Sequence, residues 1–465
     1  MRPSPLLCAL AIGLAASADT ADAQGFQVNE HGSCVMGRGG AGVALPCPDG
    51  SGMFYNPAGL LTRRGWTISA GVTAIDAFGG FSEDLTGNKT DLVNNVVPVP
   101  HFYATYGREK FAVGFGLFVP YGLGTEWPST FAGRFAGWDN NLSNIYLQPT
   151  LAFKPHSRVT VGAGLDFVVG KVTLTQRVDL SEQLVPDPAL QQAIPGATFG
   201  MLGIASGTDF ANGQLNGSGT AVGGHFGVLV QLTPRVSFGA KYLARVGIRY
   251  EGDVDFEPVA TGIRLPAGNP LGVPAGTPLD SVVAGAFAPG GPLVDQDVSA
   301  STTMPDQLTV GFAVQVTRAV TLLADYNWVN WSVFDTLPVT FENPALSSRT
   351  VESYQDTHGL RLGFDWAASS KFAVRGGYIY HTAAAPAEVV TPLLPEGKRN
   401  EFTVGLGYAF SSVLRADVAY QYLSQQNRRG RVREFPSGVT PDLSLNTGLY
   451  EFKAHLLGIT LTAGF

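Results

Sequence analysis

Three groups of residues in this sequence have types and spacings that suggest chemistry. The first is Gly37-Arg38-Gly39-Gly40-Ala41-Gly42, a match to the GxGxxG turn that cradles a dinucleotide. That site needs a strand before the glycines, a helix opening after them and an acidic residue about twenty positions on. Here an apolar leader precedes them and Pro46, Pro48 and Pro57 follow, so the pattern reads as the packing of a flexible segment. The second group is Cys34 and Cys47. In an exported chain an even pair is most simply a disulfide, and closing so short a loop contributes on the order of 3 kcal/mol. Two free thiols sharing a segment are the alternative, and a metal is disfavoured because only His31 lies nearby in sequence. The third group is cationic: Lys241, Arg245 and Arg249 at spacing four, Lys171 and Arg177, and Arg361, Arg375 and Arg415. A cation held out of water suits a carboxylate, bidentate if it is arginine. Asp166, Asp325, Asp365 and Asp417 recur in the same way, and mutual ion pairs account for most of the set. His225, His358, His381 and His455 are scattered, with no GxSxG elbow and no metal-ligand spacing. No catalytic constellation, metal or cofactor is expected.

The chain that must position these residues has 465 of them, 45% apolar but only 14% charged, where ~25% is usual. It is too apolar and aromatic for disorder, and its 58 glycines have no triplet period, which excludes a collagen. Beyond residue 25 no apolar run reaches ~18 residues, so no helical span is expected. The net charge of −7 without a basic stretch argues against nucleic acid. Residues 1–23 read as a cleavable export signal. Arg2 is its positive end, residues 6–16 its apolar stretch, and Ala21-Asp22-Ala23 a small-x-small cut before Gln24.

From Gly65 the dominant period is two. Val236, Phe238, Ala240, Tyr242, Ala244, Val246, Ile248 and Tyr250 alternate with Ser237, Lys241, Arg245 and Arg249, far beyond the ~5–6 residues of a usual strand. Fourteen strands are expected, at 65–77, 99–107, 110–119, 143–154, 158–175, 218–232, 235–250, 301–317, 319–331, 355–368, 371–382, 400–411, 413–424 and 451–465. Short turns such as Thr233-Pro234, Thr317-Arg318, Ser369-Ser370 and Ser411-Ser412 alternate with long loops. An even strand count, short turns on one side and long loops on the other imply an all-β transmembrane barrel of fourteen antiparallel strands in an outer membrane. Closure follows because hydrocarbon offers no water to an open sheet edge. The low charge follows because a charge on the lipid face costs ~2–4 kcal/mol near mid-bilayer. Residues 24–64 do not alternate and are rich in glycine and proline. They are expected inside the barrel of residues 65–465, as an N-terminal hatch plugging the lumen.

At this point the sequence resembles the FadL/TodX-type family of outer-membrane transporters for long-chain fatty acids and other hydrophobic molecules. The resemblance covers nearly the whole mature chain. It is carried by Gly25-Phe26-Gln27-Val28-Asn29-Glu30 and Tyr55-Asn56-Pro57-Ala58-Gly59-Leu60, whose Asn56, Pro57 and Ala58 match the hatch motif. Val119-Pro120-Tyr121-Gly122-Leu123-Gly124-Thr125-Glu126-Trp127, Asp325-Tyr326-Asn327-Trp328, Arg375-Gly376-Gly377-Tyr378 and Gly405-Leu406-Gly407-Tyr408 follow in the family's order. Cys34 and Cys47 depart from it. The resemblance implies passive transport, with capture by extracellular loops, a lumen pocket and sideways exit at a kinked third strand. Gly114, Gly116 and Pro120 are the expected kink, since glycine weakens strand pairing and proline removes a donor. The loop aromatics Trp127 and Phe131 are expected to meet substrate, the alternative being loop-to-loop packing. Among the cations, Lys171 is expected by family position to hold the carboxylate, with Arg177 and Arg245 as further candidates. A bulge between Val169 and Val172 would turn Lys171 and Arg177 inward. The expected partners are a hydrophobic small molecule and outer-membrane lipid, and the expected state is a monomer. Aromatic hydrocarbon is the alternative cargo, and an outer-membrane barrel enzyme acting on lipids the alternative class.

Overall fold

The computed structural model describes residues 25–93, 95–433 and 442–465. The expected export signal, residues 1–23, lies outside the described residues. Fourteen long antiparallel strands form one closed sheet. In chain order they are β1 (Gly65–Glu83), β2 (Val96–Gly107), β3 (Phe111–Glu126), β4 (Asp139–His156), β5 (Val159–Asp179) and β6 (Asp209–Thr233). Two broken strands follow, β7 (Val236–Leu243 and Val246–Pro258) and β8 (Gln296–Met304 and Gln307–Gln315). The rest are β9 (Val320–Val329), β10 (Thr357–Ala367), β11 (Phe372–His381), β12 (Arg399–Ala409), β13 (Leu414–Gln425) and β14 (Gly448–Gly464). Each strand pairs with its chain neighbours. The ring closes where β1 meets β14, from Thr67↔Gly464 to Glu83↔Gly448. Among the described residues, no helix is long and apolar enough to cross a membrane.

The alternation has the expected physical cause. On β12, Phe402, Val404, Leu406 and Tyr408 are exposed on the outer face, while Glu401, Thr403, Gly405 and Gly407 are buried on the inner one. Several strands run past their expected ends on the long-loop side. β6 begins at Asp209, nine residues before the first expected position. Its added stretch, Asp-Phe-Ala-Asn-Gly-Gln-Leu-Asn-Gly, stands beyond the hydrocarbon, where neither face must be apolar and no alternation marks it.

β7 and β8 bend together. Leu243 and Val246 both face inward with Ala244 and Arg245 between them, and Met304 and Gln307 flank Pro305 and Asp306 in the same way. Below the bend the odd residues of β7 face the lumen. Above it Val246, Ile248 and Tyr250 do, so Arg245 and Arg249 point outward.

Residues 25–64 contribute two single-turn helices, α1 (Ser33–Met36) and α2 (Gly52–Tyr55), and a 3-10 turn at Pro57–Thr62. They touch the inner wall on many sides. The Gly39 N–H donates to Thr403 on β12, the Gly42 and Val43 N–H groups to Asp325 on β9, and Asn56 to the Val228 carbonyl on β6. Thr73 on β1 donates to the Glu30 carbonyl and Tyr103 on β2 to the His31 carbonyl. Where the segment presses closest, the wall is glycine. Gly162 and Gly227 are register partners. A Cβ on Gly162 would lie 2.4 Å from the Pro57 carbonyl carbon, and one on Gly227 2.3 Å from the Asn56 side chain. Part of the glycine excess is therefore wall clearance for residues 25–64.

Candidate functional site

Among the described residues, pairing in the wall breaks off beside the third strand. β2 and β3 pair from Gly107↔Ala112 to Phe102↔Leu117 and no further. Above that level Val96 to His101 of β2 stay bonded to β1. β3 continues along β4 only after a bulge, since Phe118 faces Tyr146 but Tyr121 faces Asn144. Val119 and Pro120 form the bulge. The break begins roughly 25 Å along the strand from the short turn. It ends where the Val93 N–H donates to the Glu126 carbonyl.

Unpaired backbone groups inside a bilayer cost several kcal/mol each, so an open edge must lose its donors or find partners. Both happen here. Pro98 and Pro100 on β2 have no N–H, and alternate residues of a strand direct that group to the same neighbour. Pro120 removes a donor from β3. From inside, the Val28 N–H donates to the Pro120 carbonyl at 2.9 Å and the Gly122 N–H to the Phe26 carbonyl at 3.0 Å. Residues 26–28 thus lie along the freed edge of β3. Gly114 and Gly116 do not form the kink. They stand in regular ladder below it, opposite Thr105 and Tyr103. Their lack of a side chain makes room for contents of the lumen: a Cβ on Gly114 would lie 2.8 Å from Leu60 and 2.9 Å from the Met53 sulfur. The sequence signal that was missed is Val96-Val97-Pro98-Val99-Pro100, two prolines two apart at the start of a strand.

Behind the break sits a cluster of rings. Phe118 lies 5.2 Å from Phe54 and 6.4 Å from Tyr146, and Phe26 lies 4.7 Å from Trp331. Tyr121 donates to the Pro305 carbonyl at 2.6 Å and accepts from Gln307 at 2.7 Å, which ties the edge of β3 to the bend of β8. His31 is buried within this cluster. Burial, then the neighbouring His101, holds its imidazole well below the ordinary range. Higher in the lumen the lining is apolar: Leu215, Val254 and Val298, with Val172, Leu174, Phe256 and Phe341 among the residues packed against them.

A family model described as outer membrane protein transport protein (OMPP1/FadL/TodX) matches residues 14–465. The chain belongs to this family. It is an outer-membrane β-barrel protein of a family that transports hydrophobic compounds. Among its relatives, the long-chain fatty acid transport protein of Escherichia coli O6:H1 is 25% identical over 428 residues, covering 90% of this chain and 91% of the relative. Among solved structures, a Pseudomonas aeruginosa FadL homologue superposes with a TM-score of 0.77 at 20% identity, over 95% of this chain and 100% of the other. The Pseudomonas putida toluene transporter TodX gives 0.66 at 18% identity, also over 95% and 100%.

Within this FadL/TodX-family barrel the expected site residues fall in different places. Lys171 does not face the lumen. The ladders on both sides of β5 run without a shift from Phe167 through Val172, so there is no bulge. Asp166, Val168 and Gly170 are buried inward and Lys171 is exposed outward. Arg177 shares that outer face, half-buried, its guanidinium 6.0 Å from the Trp138 ring. Arg245 is outward in the bend of β7 and pairs with Asp306 at 3.3 Å. The reasons are shared. Toward the long-loop end the lumen becomes apolar, and the outer face leaves the hydrocarbon and accepts charge. Trp127 and Phe131 are 1% exposed and stacked at 4.4 Å, with the Trp127 indole donating to the Pro392 carbonyl. They pack loop on loop, so a ligand reaches them only if the loops part.

Several lumen charges are mutually paired. Arg375 meets Asp365 at 2.9 Å and Asp417 at 2.7 Å, Arg415 meets Asp417 at 2.7 Å, and Arg38 reaches Asp365 at 3.5 Å. Asp166 and His225 meet at 2.7 Å, wholly buried. Cys34 and Cys47 are joined as a disulfide with Cα atoms 6.3 Å apart. Asn56 is fully engaged. It donates to the carbonyls of Val43 and Val228 at 2.7 and 3.0 Å and accepts from the Ala58 N–H at 3.1 Å, with Pro57 opening the 3-10 turn. Asn56→Ala leaves these buried groups unpaired and should weaken seating of residues 25–64 by about 2–3 kcal/mol. Hydrogen exchange of that segment in detergent should rise, with the folded barrel's gel migration unchanged; unchanged exchange would contradict the assignment.

Proposed function

We propose that this chain carries hydrophobic molecules passively across the outer membrane, long-chain fatty acids foremost, and releases them sideways between β2 and β3. Residues 24–64 act as the hatch that keeps the barrel closed to water. The observation that carries this reading is the proline-lined break in the wall, backed by rings and opposed to the edge where residues 26–28 lie. A greasy molecule gains nothing from a water-filled exit, but a gap at bilayer depth delivers it directly into hydrocarbon. The apolar lining of the upper lumen supports an approach path of the same character.

The ring cluster of Phe26, Phe54, Phe118 and Trp331 also favours a second cargo, aromatic hydrocarbon, by ring packing. A carrier fits the outward histidines better than an enzyme does: His358 bonds the Tyr326 hydroxyl at 2.6 Å and His455 that of Tyr420 at 2.8 Å, neither meeting a serine nucleophile. Cells with and without the gene should differ severalfold in initial uptake of labelled oleate, labelled toluene or both. Equal uptake of both molecules would remove the reading, and fatty acid released from phospholipid vesicles by the pure protein would replace it with the enzyme.

A further inference from the structure

Two inward cations differ from the paired set at the short-turn end. Lys241 on the lower half of β7 is 4% exposed and Arg361 on β10 is 3% exposed. Among the described residues, no carboxylate lies within ion-pair distance of Lys241. Its ammonium instead sits 4.0 Å from the centre of the Phe54 ring. The Nε and Nη2 of Arg361 are buried without a hydrogen-bond partner. Asp325 is the register neighbour of Arg361 on β9. Its Oδ2 is committed to the backbone N–H groups of Gly42 and Val43 at 2.8 and 2.9 Å, and its Oδ1 is unpartnered. Lys241, Arg361, Asp325, Phe54 and Tyr55 surround one small void of about 10 Å³, room for about one water molecule. A buried ammonium without an ion-pair partner is costly, and beside it Arg361 keeps two donors unused although Asp325 faces it across the strands, so the void has donors left for an anion that arrives.

We propose that Lys241 and Arg361 form a carboxylate site, occupied by the head group of the transported molecule when the Phe54 ring moves aside. The site rests on the transport reading above and names the chemistry of its cargo. The ring–ammonium contact is exchanged for charge-assisted hydrogen bonds to a carboxylate, with Arg361 offering the two donors it leaves unused. The tail has a path. Phe54 stands between Lys241 and Phe118, and Phe118 is the last residue of β3 before the bulge. A head group held at Lys241 therefore leaves an acyl chain pointing along the rings toward the break. A neutral hydrocarbon has no use for these two cations.

The test compares oleate with oleyl alcohol, the same tail without the carboxylate, in cells carrying the full-length protein. Lys241→Gln should lower initial oleate uptake by about tenfold and leave the alcohol within about twofold, while Lys241→Arg should keep most oleate uptake. Folding is checked by heat-modifiable gel migration. Should Lys241→Gln not fold, Phe54→Leu, which vacates the ring position and keeps both cations, should raise oleate retention by purified protein relative to the alcohol. Intact oleate uptake in folded Lys241→Gln, equal loss of both molecules, or no gain in Phe54→Leu would overturn the site. Wild-type uptake of the alcohol without oleate would overturn the site and leave transport standing. Uptake of neither would remove both.

Discussion

Deleting residues 25–62 should turn a barrel that passes almost no current into an open pore. The lumen of a fourteen-stranded barrel is wide enough for water unless something fills it. Here residues 25–64 bond to β1, β2, β6, β9, β12 and β14 at once. Beside them, deep in the lumen, lies the void of about 10 Å³. A larger recess of about 370 Å³, lined by Arg38, Cys34 and Cys47 together with turn residues Arg318 and Lys371, lies at the short-turn end. In planar bilayers the intact protein should show negligible ion conductance, and the deletion variant, once shown to fold by heat-modifiable migration, a large and steady one. Large conductance by the intact protein would favour an open diffusion porin and contradict the hatch. The same variant should pass hydrophobic molecules poorly, because removing residues 26–28 also strips the partners from the edge of β3.

The barrel was legible because lipid enforces a strict period of two on every strand that crosses it. Where the chain leaves hydrocarbon that constraint ends, so the first nine residues of β6 carried no alternation to read. The bend of β7 was harder still. Apolar residues occupy the even positions without interruption from Val236 to Tyr250, yet Leu243 and Val246 face the same way. The pattern is continuous because inside and outside exchange polarity at that level: hydrocarbon outside gives way to polar surroundings, and a polar lumen gives way to an apolar one. Leu243, apolar at an odd position, was the sole local sign. The same exchange explains Lys171. Expected in the lumen by family position and by a bulge between Val169 and Val172 that the ladders do not contain, it stands on the outside where charge is tolerated. Asn56 and Pro57 were readable from the family motif, but the glycine pair that admits them, Gly162 with Gly227, acquires meaning only from the register of β5 and β6. The break itself was half legible. Pro120 marked one edge, and Pro98 and Pro100 marked the other without being recognised, because a strand opening on prolines looks like a strand that has not yet begun.

The central claim is that cargo leaves between β2 and β3, and a reversible lock across that break tests it most directly. A side chain at Gly124 would place its Cβ 3.5 Å from the Val97 side chain, near the top of the opening. The near atom is the Val97 Cγ2, the position a cysteine sulfur at 97 can take, which brings it within bonding reach of a sulfur carried at 124. Val97→Cys combined with Gly124→Cys, oxidised, would pin the two freed edges while leaving the ring cluster, the lumen and residues 25–64 untouched. Each end of the opening would then be fixed, by the ladder pair Phe102↔Leu117 below and by the new bond above. The control is the native protein under the same oxidant and the same reductant, which accounts for any effect on Cys34 and Cys47. The account predicts that initial uptake of labelled oleate falls by about tenfold or more in the oxidised double variant and returns on reduction, with the native protein unchanged by either treatment. Undiminished uptake through the oxidised, fully cross-linked barrel would show that cargo leaves by another route.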